Sequence, residues 1–192
     1  MNHVSWIDIF ALNSVCPSRF VAKSEISRWP LIGYLCTRSG TLYIERGRKR
    51  AAREANAAIS AALATGERVA VFPEGTTSYG EHVLHFHAAL LQPAIDTAVD
   101  VHPVALRYAD RDGASTRRPS YVGDQSLLAS LWALLSQRRT LAQLDFGSPV
   151  AAAGMHRRAL ADTLHAAVSR RLDASGCGSA PGTARGPQDA AR

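Results

Sequence analysis

The segment MNHVSWIDIF sets His3 and Asp8 five positions apart at the start of the chain. Histidine is the side chain whose ordinary pKa, about 6.5, lets it take a proton near neutrality. A carboxylate on its second ring nitrogen fixes the tautomer and stabilises the imidazolium, so such a dyad can activate a hydroxyl as a nucleophile. The spacing constrains the geometry. Five steps of a regular helix rotate about 140°, so two residues inside one helix would diverge. His3 is therefore expected on the loop entering a helix, with Asp8 in its first turns. Taken alone, a histidine at a helix start also reads as a cap or a surface residue.

Other polar residues fall at the ends of predicted strands. GTLYIERG ends one run with Arg46, and VFPEGTTS ends another with Glu74, Gly75, Thr76 and Thr77 in a tight turn. Strand ends in α/β sheets are where ligands bind. An arginine there can clamp a phosphate, and the backbone amides of a glycine-containing turn can receive anionic oxygens. VHPVALRY opens a third run on an X-Pro element, Pro103, suited to shaping an apolar wall. Each also has a plain structural reading: Arg46 as a solvated strand end, Pro-Glu-Gly as a common turn.

The elements that must position these residues alternate between strand and helix signals, which predicts an α/β domain. SWIDIFALNSV reads as a helix and RFVAKSE as a short strand. Pro30 suits a helix start and Gly40 a stop, followed by a strand over Thr41 to Ile44. RGRKRAAREANAAISAALATGE is the clearest helix, ended by Gly66. A buried strand follows over Val69 to Phe72, then a helix around residues 87–99 and the strand VHPVALRY. An apolar helix, SLLASLWALLSQRR, a strand at TLAQLDFG and a helix from about Met155 to Leu172 complete the domain over residues 1–173. Residues 174–192, rich in Gly, Ala, Pro and Ser, are expected to form a disordered tail.

Composition narrows the partners. The 192 residues suit one domain, 46% are hydrophobic, and the net charge of +6 favours anionic partners such as phosphorylated metabolites, acidic lipid or nucleic acid. Three cysteines, Cys16, Cys36 and Cys177, lack metal-type spacing and suggest no disulfide framework, in keeping with a reducing cytosol. No run approaches the roughly 20 apolar residues of a spanning helix, so membrane contact is expected to be peripheral. His82, His85 and His87 in EHVLHFH have no second ligand cluster and read as a surface or helix-start group rather than a metal site. The basic run Arg46, Arg48, Lys49, Arg50, Arg53 lacks the interleaved aromatics of a nucleic-acid surface. A solvated face, or a contact for phosphates and anionic lipid, suits it better. Trp132 lies amid leucines in LLASLWALL; most such stripes are core, the other reading being a face dipped into a membrane.

The order N-H-x-S-W-x-D, G-x-x-Y-I-E-R, F-P-E-G-T and V-x-P-V-x-x-x-Y, over residues 2 to about 108, resembles the four motif blocks of the glycerophospholipid acyltransferases. FVAKSEISRWPLIGYL resembles the segment between the first two. The resemblance implies an α/β fold, a central mixed sheet with flanking helices, on the cytoplasmic face of the membrane. It implies transfer of a fatty acyl group from acyl-CoA or acyl carrier protein, as co-substrate, to a lysophospholipid hydroxyl, with no further cofactor and no metal. Carried over by residue, His3 is the general base and Asp8 orients it. Arg46 grips the acceptor phosphate with Lys23 as a second cation, Glu74, Gly75 and Thr76 shape the acceptor site, and Pro103 lines the acyl region. Two departures matter. Thr77 stands where the family commonly has arginine, which brings other lyso-lipids, including lyso-ornithine lipid, alongside 1-acyl-glycerol-3-phosphate as acceptors. The apolar strand and helical segment that members carry before N-H have no counterpart, so the chain is expected to be an N-terminally truncated form lacking the first strand, weakly active or inactive and poorly soluble as it stands. The alternative to an enzyme is a non-catalytic lipid-surface protein of the same fold.

Overall fold

A computed structural model describes residues 1–30, 32–44 and 49–176, without the side chains of Lys23, Ile44, residues 49–52, Ser175 and Gly176. Helix α1 (Asp8–Asn13) leads into β1 (Arg19–Lys23), a 3-10 turn and α2 (Ile32–Arg38). Then come β2 (Leu42–Ile44), α3 (Lys49–Ala64) and β3 (Val69–Ala70). A second 3-10 turn and α4 (Gln92–Asp96) precede β4 (Asp100–Val101) and β5 (Val104–Ala109). The chain ends in α5 (Leu127–Leu135), β6 (Leu141–Phe146), β7 (Val150–Ala151) and α6 (Arg157–Gly176).

The α/β class is as expected, and the ladders are of mixed sense. β1, β2 and β3 run parallel in the order β2-β1-β3, while β4 pairs with β7 and β5 with β6 antiparallel. The parallel strands need crossovers, and α2 and α3 supply them. Alanine-rich α3 has no proline and ends where Gly66 takes a φ of 78°, the left-handed turn that a side chain resists.

Burial follows the strand period. In β5, Ala105 faces one cluster with Phe86, Leu91, Leu160, Leu164 and Val168, while Leu106 and Tyr108 turn the other way to meet Val4. A further cluster joins Ile9 and Leu12 of α1 to Phe20 of β1, Ile32 and Cys36 of α2, and Phe72.

Four expectations need correction. β3 is two residues long and half-buried, not a buried strand to Phe72, because it pairs along one edge only and its other edge lines a cavity. The proline of VHPVALRY divides the run into β4 and β5, since it has no N–H to give a ladder. α6 continues to Gly176, past the expected start of the tail; residues 177–192 lie outside the described residues. Trp132 is not core: it is 75% exposed.

Candidate active site

His3 lies on the loop before α1 and Asp8 is the first residue of that helix, as the rotation argument required. His3 Nδ1 donates to Asp8 Oδ2 at 2.7 Å. Because Nδ1 holds the proton, Nε2 keeps the lone pair that can accept one from a substrate. The imidazole stacks on Phe72 with ring centroids 3.9 Å apart, which fixes its plane, and its side chain keeps 19% of its exposure.

Asp8 is fully buried. Its Oδ2 also accepts the N–H groups of Val4 at 2.7 Å and Ser5 at 3.0 Å, and Oδ1 accepts the Tyr108 hydroxyl at 2.8 Å. Four donors thus converge on one buried carboxylate, and both of its oxygens serve as acceptors. Burial, and then the charge of Asp8, push the Tyr108 phenol well above its usual range, so it stays a donor. Tyr108 sits in the fourth motif block, but nothing in its spacing to Asp8 announced the contact. Tyr108→Phe is expected to cost about 1.5–3 kcal/mol of stability, the range for a hydrogen bond to a charged group, and to lower kcat roughly tenfold with little change in acceptor KM. Urea unfolding and initial rates measure both; unchanged values would remove Tyr108 from the support of the dyad.

The loop itself is braced on three sides. Asn2, fully buried, donates from Nδ2 to the Leu106 carbonyl at 2.9 Å and accepts the Leu106 N–H on Oδ1 at 2.7 Å, so its amide pairs with β5 as a neighbouring strand would. The Glu74 carboxylate accepts the His3 N–H at 2.8 Å and the Leu84 N–H at 2.8 Å. Ser78 N–H donates to the His3 carbonyl at 2.9 Å. Burial raises the pKa of Glu74, partly offset by its hydrogen bonds to Leu84 and His3. Thus Glu74 stands beside His3 as a backbone brace: the structure brings the two together, with both carboxylate oxygens turned to main-chain donors.

The turn after β3 needs its glycine. Gly75 has a φ of 70°, and a Cβ there would stand 3.0 Å from the ring of His87. Thr76 is exposed on this turn, and the Thr77 hydroxyl donates to the Tyr121 carbonyl, which ties the turn to the segment before α5. Because β1, β2 and β3 are parallel, Lys23, Ile44 and the Phe72–Thr76 turn reach the same edge of the sheet, where the dyad stands. Lys23 pairs with Ile44 through the backbone. Arg46 lies outside the described residues, as does Arg48.

Pro103 lies just before β5. It is buried against Gly147, whose N–H donates to the Pro103 carbonyl at 2.7 Å, and its neighbours His102 and Val104 line a nearby cavity. That cavity has a volume of about 700 Å³ and is lined by Met1 and Pro73, by Val69 of β3 and Val71 just after it, and by Leu91 and Leu164. A region of this size and apolar character suits a hydrocarbon chain.

A buried, four-donor aspartate that orients a partly exposed histidine leaves a ring nitrogen able to accept a proton. The family model described as Acyltransferase matches residues 1–107, which carry this whole constellation except Tyr108. The chain belongs to the acyltransferase family. It is 45% identical over 145 residues to a 1-acyl-sn-glycerol-3-phosphate acyltransferase of Neisseria gonorrhoeae, covering 76% of this chain and 56% of that protein. It is 37% identical over 171 residues to a lyso-ornithine lipid O-acyltransferase of Pseudomonas aeruginosa, covering 89% of this chain and 66% of that protein. This acyltransferase chain therefore spans a little over half to two thirds of these curated relatives. The crystal structure of the 1-acyl-sn-glycerophosphate acyltransferase of Thermotoga maritima shares the fold, with a TM-score of 0.64 at 22% identity over 94% of this chain and 66% of that one. Among the described residues of this family member, no helix is long and apolar enough to cross a membrane.

Proposed function

We propose that the protein transfers a fatty acyl group from acyl-CoA or acyl carrier protein to the free hydroxyl of a lysophospholipid, 1-acyl-glycerol-3-phosphate first among them, to give phosphatidic acid. The observation that carries this reading is the His3–Asp8 bond of 2.7 Å, with Nε2 left to accept a proton. In the reaction His3 Nε2 takes the acceptor's hydroxyl proton while the oxygen attacks the thioester carbonyl. The tetrahedral intermediate collapses, the carbon–sulfur bond breaks, and the thiolate recovers the proton from His3. The thioester is already activated, so no covalent enzyme intermediate is needed. Asp8 stabilises the imidazolium through the middle of this sequence. The apolar cavity is the candidate seat for an acyl chain, and the site would work at the cytoplasmic face of an anionic membrane.

Thr77 supports a second acceptor, lyso-ornithine lipid. Its hydroxyl is committed to the Tyr121 carbonyl, so it offers a phosphate no charge. The test is a side-by-side assay of the purified chain with acyl-CoA and each lyso-lipid. Faster acylation of lysophosphatidate supports the first acceptor, and faster acylation of lyso-ornithine lipid the second. No product from either would overturn the enzymatic reading. Within this assay Arg46→Ala is expected to raise the KM of lysophosphatidate by about tenfold or more, the value of a charged phosphate contact, while the KM of acyl-CoA moves little. Equal effects on both substrates would make Arg46 a structural residue.

A further inference from the structure

Helix α5 turns its large apolar side chains outward. Leu128, Trp132 and Leu135, at positions i, i+4 and i+7 and so on one helical face, are 77%, 75% and 68% exposed. The opposite side is anchored: Trp6 Nε1 donates to Ser130 Oγ at 3.1 Å, and Leu127 packs into the cluster of Ile9, Leu12, Phe20 and Phe72. Phe72 is the ring on which His3 stacks. The exposed face is thus the outer surface of a wall whose inner side supports the dyad. Charge completes the pattern. No Asp or Glu occurs between Asp124 and Asp145, and Arg138 and Arg139 follow the helix, both exposed and neither in an ion pair among the described residues.

We propose that this face of α5, with Arg138 and Arg139 beside it, docks the protein onto an anionic lipid bilayer. Leucine and tryptophan suit the boundary between acyl chains and headgroups, and flanking arginines are drawn to acidic headgroups. A second copy of the chain suits the face less well. Three side chains of this size offer about 400–500 Å², roughly half of the ~800 Å² that each partner buries in a stable dimer. A two-fold contact centred on the helix would also bring like charges together. The proposal deepens the acyltransferase reading by naming the surface through which a membrane-borne acceptor comes within reach.

The experiment is co-sedimentation of the full chain with vesicles of phosphatidylcholine alone and of phosphatidylcholine with phosphatidylglycerol. The chain is expected to bind the anionic vesicles more tightly. The combined variant Leu128→Ser, Trp132→Ser and Leu135→Ser is expected to lower that partition by about tenfold or more. Arg138→Gln with Arg139→Gln is expected to abolish the preference for phosphatidylglycerol. Unchanged partition in the triple variant overturns the proposal, and so does a dimer in sedimentation equilibrium that the triple variant dissociates. Acylation of a short-chain lysophosphatidate dissolved as monomers separates the two readings. The triple variant should keep the wild-type rate there; loss of that rate would make α5 part of the site's support and overturn the docking role. Vesicle binding by a wild-type chain that acylates nothing would overturn the catalytic reading and leave the docking surface standing.

Discussion

His3→Ala is expected to lower kcat by about 10²–10⁴-fold, the contribution of a positioned general base, with the acceptor KM changed less than about threefold. The backbone of His3 is held independently of its ring, by the Glu74 carboxylate on its N–H and by Ser78 on its carbonyl. The loop should therefore keep its course when the imidazole is removed. What is lost is the stack on Phe72, the hydrogen bond to Asp8 and the proton acceptor. Circular dichroism should stay close to wild type and stability should fall by no more than about 1.5–3 kcal/mol, the value of one hydrogen bond to a charged group, while turnover with acyl-CoA and lysophosphatidate collapses. Turnover within about threefold of wild type would place the base elsewhere.

Asp8→Ala is expected to act on folding as well as on turnover. Removing the carboxylate leaves the N–H groups of Val4 and Ser5 and the Tyr108 hydroxyl facing one another around a buried hole, with His3 Nδ1 unpaired beside them. Each buried donor left without an acceptor costs about 1–3 kcal/mol, and water entering the hole recovers part of that. A loss of about 3–5 kcal/mol is the expected sum, a large share of the 5–15 kcal/mol that stabilises a typical domain. Asp8→Asn keeps the volume but turns an amide N–H toward donors, so it should fold better than Asp8→Ala and still lose most of kcat. Urea denaturation of the three proteins checks the order. A cost below about 1 kcal/mol for Asp8→Ala would show that the four hydrogen bonds carry little net energy.

The sequence by itself determined the features that depend on local spacing. His3 on the loop and Asp8 at the helix start follow from the rotation of a helix over five steps, and α1, α2, α3, α5 and α6 read as helices from pattern and composition, α2 and α3 with Gly40 and Gly66 as stops. Four motif blocks in order pointed to the family that the comparisons establish. Tertiary structure alone decided which distant groups meet. Tyr108 reaches Asp8 across 100 residues, and Asn2 reaches Leu106 across 104. Neither pairing has a local signature, because any hydroxyl or amide can serve once the chain brings it to the right edge. Glu74 reads from sequence as a polar strand end, yet its oxygens hold main-chain N–H groups, a choice made by how the loop of His3 and the segment at Leu84 pack around it. Trp132 shows the same limit from the apolar side. Its stripe specifies a helix with a hydrophobic face, but the face that is buried depends on which neighbours arrive, and Trp6 and the α1 cluster reach α5 at Ser130 and Leu127. Spacing along a chain fixes which way side chains point relative to one another; only packing against elements far away in sequence fixes what they point at.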